Sequence, residues 1–201
     1  MLNLLLNIQD YIPLIVLAVV IILVVIIASW IISVYNKLVK ARNRVDNSWA
    51  QIDVQLKRRF DLIPNLVETV KGYTKHESAI FTEFAKARQM YDSARGGDSV
   101  KSLAEADASL NKALNIAVNA VQERYPELQA NANYQQLIGE LKDCENKISY
   151  NRQFYNDTVL TYLNAKQLFP SNIIASIFNF KDKEYFKVEE QEQRETPKVS
   201  F

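Results

Sequence analysis

Side chains with sharp chemistry are scarce, because the chain holds one histidine and one cysteine, His76 and Cys144. His76 stands between Lys75 and Glu77 in helical sequence, and reads as a solvated surface residue. Cys144 falls on an apolar stripe, where a thiol behaves as a small buried hydrophobe. A thiol nucleophile needs a base within reach, and the sequence places none beside it. One His and one Cys also cannot build the usual zinc ligand set. Asp46, Asp53, Asp61 and Glu68 recur along one helical face, which raises a metal hypothesis. The Glu-x-x-His partner pairs of helical di-metal proteins are missing. Phosphate-cradling glycine loops of the G-x-x-x-x-G-K-[ST] and G-x-G-x-x-G types are absent too. The expectation is a protein with no catalytic residues, no cofactor, no metal and no small-molecule substrate, and therefore not an enzyme.

A second set of residues is polar where its surroundings are apolar. Arg59 and Glu77 interrupt the first apolar stripes and Asn151 interrupts the last, with Glu145 and Arg152 close by. Buried polar groups need partners, so these residues either pair between helices and set their register, or line a polar pocket or partner surface.

The elements that carry them are helical. Apolar residues recur three and four apart at Val45, Trp49, Ile52 and Leu56, and again at Ile63, Leu66, Val70, Tyr73, Ile80, Phe84, Ala87 and Tyr91, close to a coiled-coil heptad. Pro64 removes one helical hydrogen bond, so the helix kinks or turns between Arg59 and Pro64: the heptad phase kept across Pro64 favours a kink, and Asp61, which offers an N-cap, favours a break, the preferred of the two. Arg95-Gly96-Gly97-Asp98 is the clearest turn, with Asp98 as a cap. Ser102-Leu103-Ala104-Glu105 has the form of a capping box. The next stripe is Leu103, Ala106, Leu110, Ala113, Ala117 and Val121, halted before Pro126. Asn133-Tyr134-Gln135-Gln136 restarts a helix whose stripe runs through Tyr134, Leu137, Leu141, Cys144, Ile148, Tyr155, Tyr162 and Phe169. Only four glycines occur, and nothing alternates as a strand would. The fold class is all-α, an antiparallel up-and-down four-helix bundle joined by short loops.

Ahead of it lies an apolar run, residues 12–34, broken in character only by Pro13, Ser29 and Ser33. It exceeds the roughly 20 residues needed to cross a hydrocarbon core. Trp30 and Tyr35 suit an interfacial aromatic belt, and no linker composition separates the run from the bundle sequence. A cleaved signal peptide is the rival reading. The lack of basic residues before the run, and its length, favour an uncleaved anchor. Asp10 is the one charge before the run, and Lys37, Lys40, Arg42 and Arg44 follow it, so the positive-inside bias leaves the C-terminal side in the cytoplasm. The expected order is a short outer N-terminus (1–11), a transmembrane helix (12–34), the helical bundle (35–170), an apolar C-terminal segment (171–187) and a flexible tail (188–201). A formal net charge of +1 gives no footprint for nucleic acid, and a lone thiol fits a reducing compartment.

Within the C-terminal segment Ile173, Ile174, Ile177, Phe178 and Phe180 form an apolar patch that packs across the bundle, lies at the membrane interface or mediates self-association. The tail is rich in Glu, Gln, Arg and Lys and is expected to be unfolded. Its end, Val199-Ser200-Phe201, has the apolar, x, apolar-carboxylate form that β-augmentation domains capture.

The stretch 35–77, including Asp46-Asn47-Ser48-Trp49 and Arg58-Arg59-Phe60-Asp61-Leu62-Ile63-Pro64-Asn65-Leu66, closely resembles the bacterial LemA family. The likeness continues in Tyr125-Pro126-Glu127-Leu128, in Glu145-Asn146-Lys147-Ile148 with Arg152 and Tyr155-Asn156, and in Phe169-Pro170-Ser171-Asn172-Ile173-Ile174-Ala175. The resemblance implies a single N-terminal span, a four-helix bundle and residence in a bacterial cytoplasmic (inner) membrane. It brings no catalytic residues to carry over, and suggests links to membrane remodelling, membrane stress and neighbouring membrane proteases. The expected function is a non-catalytic, membrane-anchored scaffold that forms a homo-oligomer in the lipid bilayer. The alternative is an adaptor or regulator of a membrane protease or sensor, docking a membrane protein partner through the bundle surface and tail.

Overall fold

The computed structural model describes residues 2–73, 78–96 and 99–187, with side chains from position 11 onward. The tail 188–201, with Val199 and Phe201, lies outside the described residues, as do His76, Glu77 and Asp98. All the regular structure among the described residues is helical: α1 (Leu2–Lys71), α2 (Ser78–Arg95), α3 (Val100–Arg124), α4 (Pro126–Gln129), α5 (Ala132–Gln167) and α6 (Ser171–Ile177).

The expected break near Pro64 does not occur, since α1 passes through it and ends only at Lys71. A proline at 64 strips the Phe60 carbonyl of its helical partner. Arg88 of α2 replaces that partner, its Nη1 donating to Phe60 O at 3.0 Å. The Pro64 ring itself points to solvent. Gly72 and Tyr73 then close the helix, with Gly72 N donating to Glu68 O and Tyr73 N to Val70 O. The turn therefore follows Lys71, beyond the proline that seemed to mark it.

Two caps also sit elsewhere than expected. The α3 cap is Ser99, whose side chain accepts from Ser102 N, so Ser102 supplies the capped N–H and is not the capping residue. Asn131 Oδ1 accepts from Tyr134 N and opens α5 two residues before the anticipated Asn133. As expected, α3 stops before Pro126, and the following loop contains α4, whose Leu128 is fully buried.

The chain divides into two compact units. The larger, Val45–Leu160 with Lys183–Phe201, holds most of the apolar core. Ile52, Leu56, Ile63, Leu66 and Val70 of α1 are buried, as are Ile80, Phe84, Ala87 and Tyr91 of α2. Leu103, Ala106, Leu110, Ala113, Ala117 and Val121 of α3 are buried too, with Leu141, Cys144, Ile148 and Tyr155 of α5. Phe60 stacks on Tyr91 with centroids 4.1 Å apart. Ser48 and Thr158 share a hydroxyl hydrogen bond of 2.9 Å between α1 and α5. Residues 183–187 lie along α5, where Asn156 holds both backbone groups of Phe186: its Oδ1 accepts from Phe186 N at 2.9 Å and its Nδ2 donates to Phe186 O at 3.2 Å. Tyr155 Oη donates to Glu184 O at 2.7 Å, and the buried Phe186 ring meets Trp49.

The smaller unit comprises Met1–Arg44 and Thr161–Asp182. Residues 12–27 of its α1 segment are exposed throughout, an apolar surface with no protein cover, and this helix is long and apolar enough to cross a membrane. Near Tyr35 a small core begins, with Leu38, Tyr162, Ile174, Ala175 and Phe180 buried. Ser171 Oγ ties α6 to α5 through the Ala165 and Leu168 carbonyls, at 2.6 and 2.8 Å. A Schellman motif ends α6: Phe180 N donates to Ala175 O, Asn179 N donates to Ser176 O, and Asn179 takes φ 53°. That reversal turns Phe180 inward beneath α6, against the edge of Tyr35 at 5.8 Å and under Arg42.

Candidate functional site

The densest polar cluster in the larger unit centres on Arg59, only 2% exposed in the middle of the apolar stripe of α1. Its Nη1 donates to Asp107 Oδ1 at 2.5 Å, and Nη2 donates to Asn111 Oδ1 at 2.5 Å, both on α3. Glu145 of α5 places Oε2 2.5 Å from the same Nη1. Glu145 Oε2 nevertheless lacks a well-directed hydrogen bond, and Arg59 Nε has no acceptor, so Glu145 contributes charge more than geometry. Charge-assisted bonds of this kind are the strong ones, and a guanidinium suits them because its donors are arranged in a fixed fork.

Burial pushes the Asp107 carboxyl above its ordinary value; Arg59 pulls it back and the neighbouring Glu145 adds to the rise. Arg152 acts on the same carboxyl as a further positive charge. The helical spacing explains the convergence: Asp107 and Asn111 lie one turn apart on α3, and Glu145 and Arg152 lie two turns apart on α5.

Sequence reasoning had singled out Arg59, Glu145 and Arg152, and the fold brings these together. Asn151 stands apart, half-buried in a shallow groove of about 390 Å³ lined also by Asn47, Ala50, Gln51, Val54 and Gln55. Asp107 and Asn111 were missed. A signal for Asp107 existed, since it lies four residues after Leu103 and three before Leu110, a core position on the alanine-rich stripe of α3. The acidic series does not converge: Asp46 pairs with Lys183 and Asp61 with Lys57, both at the surface. Among the described residues no three His, Cys, Asp or Glu side chains are grouped to hold a metal ion. Cys144 is buried, and burial pushes its thiol up, away from the nucleophilic thiolate.

The apolar C-terminal candidates divide in two. Ile174 and Phe180 are buried within the protein itself, whereas Ile173, Ile177 and Phe178 are 49%, 68% and 50% exposed. Phe169, expected on the stripe of the last helix, lies beyond the end of α5 and is 80% exposed.

The molecule is thus an all-helical protein with one long apolar N-terminal helix suited to membrane anchoring. Its sequence matches the model of the LemA family over residues 48–201, and the chain belongs to that family. It is similar to the magnetosome protein MamQ of Magnetospirillum gryphiswaldense, with 26% identity over 175 residues, covering 76% of this chain and 64% of that one. Two MamQ proteins of Paramagnetospirillum magneticum are also 26% identical over 189 residues, covering 83% of this chain and 68% of theirs. The chain therefore spans about two thirds of the length of these relatives, and slightly less of the first.

Proposed function

We propose that this protein is a non-catalytic scaffold in a bacterial cytoplasmic membrane, anchored by residues 12–34 with its N-terminus outside. On this reading the second part of α1 forms an antiparallel four-helix bundle on the cytoplasmic side with α2, α3 and α5, and copies of the bundle associate to organise membrane components. The observation that carries the reading is where the ionisable groups of the core go. Arg59, Asp107 and Glu145 are drawn from three helices and meet one another, which supports a part in holding those helices in register rather than in chemistry. The groove of about 390 Å³ between α1 and α5 is lined by four amides and two apolar residues, Ala50 and Val54. Such a surface can hydrogen-bond and pack against another helix, and it offers no group for covalent or acid-base chemistry. The exposed apolar helix supports the membrane location, and the basic residues that follow it support the orientation.

The test is cysteine crosslinking in native membranes. Val54→Cys is introduced at the exposed rim of the groove in a Cys144→Ser background, and whatever is captured is identified by mass spectrometry. Crosslinked homodimers and higher oligomers are the expected product. Strictly monomeric protein, with one different membrane protein captured in stoichiometric amount, overturns the scaffold in favour of an adaptor.

A further inference from the structure

The smaller unit exposes a second apolar surface besides the anchor. Leu168, Phe169, Ile173, Ile177 and Phe178 are between 49% and 80% exposed. They occupy the corner where α5 ends and α6 begins. The stretch 168–180 contains no charged residue, while Lys166 stands before it and Lys181 directly after it. Ile173 and Ile177 are one turn apart on the outer side of α6, and Ile174 and Ala175 are buried on the inner side. The helix is therefore apolar on both faces, with only one of them covered by protein.

The position of this corner within its unit indicates what covers the other face. The Phe178 ring lies 4.8 Å from the Tyr35 ring, and Tyr35 is the first residue after the apolar run of α1. The corner therefore sits beside the anchor helix at the level where it leaves the hydrocarbon core, the depth at which Trp and Tyr side chains collect. Short apolar segments flanked by lysines settle at that depth, with the apolar side in the acyl boundary and the ammonium groups among the headgroups. A second copy of the chain would need a matching dry surface, whereas the bilayer is already beside this one.

We infer that the α5–α6 corner is a membrane-dipping element, which buries Phe169, Ile173, Ile177 and Phe178 in the headgroup and acyl boundary of the leaflet from which α1 emerges. The unit then holds the bilayer at two points, a spanning helix and an interfacial corner, and the Tyr35–Phe178 contact couples them. The inference rests on the reading of residues 12–34 as a span.

The experiment is a depth measurement on the full chain reconstituted in vesicles of phosphatidylethanolamine and phosphatidylglycerol. Single cysteines replace Val24, Ile177, Phe169 or Gln122 in the Cys144→Ser background and are spin-labelled. Collisions with oxygen, which concentrates in lipid, are compared with collisions with a water-soluble nickel chelate. Labels at Ile177→Cys and Phe169→Cys are expected to favour oxygen, on the same side of the scale as Val24→Cys and opposite to Gln122→Cys on α3. An aqueous signal at 177 and 169 with a lipid signal at 24 overturns the inference and leaves the anchor standing. Protection from both reagents at 177, accompanied by spin-spin broadening that grows with protein density, also overturns it by assigning the corner to a second copy. An aqueous signal at 24 overturns the span as well.

Discussion

Removal of one partner from the buried Arg59–Asp107 pair tests whether the polar cluster ties the helices together. In Asp107→Ala the guanidinium stays buried at 2% exposure and keeps only Asn111 and the partly exposed Glu145. Breaking such a pair costs about 3–5 kcal/mol. Because two of the three partners remain, the lower end is expected, about 3 kcal/mol. For a chain of this size that lowers the melting midpoint by about 6–12 °C, read by far-ultraviolet circular dichroism of the full chain in detergent micelles. The converse variant, Arg59→Met, behaves differently with pH. Asp107 loses the attraction that held it down and keeps the desolvation that raises it, so its folded pKa climbs further above the ordinary value of 3.8. Between those two pKa values the folded state holds a proton that the unfolded state releases, and stability falls as pH rises by about 1.4 kcal/mol per pH unit. Arg59→Met therefore regains stability as pH is lowered from the raised folded value toward the ordinary 3.8. Asp107→Ala does not, since it lacks the buried carboxyl that takes up the proton. The double variant Arg59→Met with Asp107→Leu is expected to be more stable than either single one, because neither member of the fully buried pair is left without the other. Identical pH dependence of the two single variants refutes the reasoning, as does a double variant no better than Asp107→Ala.

Three further outcomes are expected from the same geometry. Arg88→Met leaves the Phe60 carbonyl without its donor and costs about 1–3 kcal/mol; Pro64→Ala restores a helical N–H and removes most of that cost, measured as a double-mutant cycle in thermal melts. Asn156→Leu removes both hydrogen bonds to Phe186, so limited trypsin digestion is expected to cut after Lys183 and Lys187 several times faster, with α1 to α5 intact by mass spectrometry; an unchanged digestion pattern refutes the clamp. Ser99→Ala removes the α3 N-cap and lowers stability by about 1 kcal/mol, and Ser99→Asp is expected to preserve it.

Much of the fold was legible in the sequence because helical periodicity is a local signal. The stripes through Ile52, Leu56, Ile63 and Leu66, and through Leu103, Leu110 and Val121, are buried as their spacing requires. Arg59 also stood out locally, as a charge where an aliphatic side chain was due. Its partners were harder to read. The spacing of Asp107 from Leu103 and Leu110 marks a core position but not its partner, and Asn111 looks like an ordinary polar residue until α3 is placed against α1, because distance along the chain carries no information about that placement.

The sequence by itself determined the apolar anchor, the helical class and the family, because hydropathy, period and motif are properties of neighbouring residues. Tertiary structure alone decided whether Pro64 breaks α1, since the answer rests on Arg88, which reaches the Phe60 carbonyl from another helix. It also decided the fate of the C-terminal apolar segment. The Asn179 reversal turns Phe180 inward, while Ile177 and Phe178 remain outside. The physical reason is the same in both cases: a backbone carbonyl or an apolar side chain must be satisfied, and only folding determines which distant group, or which solvent, satisfies it.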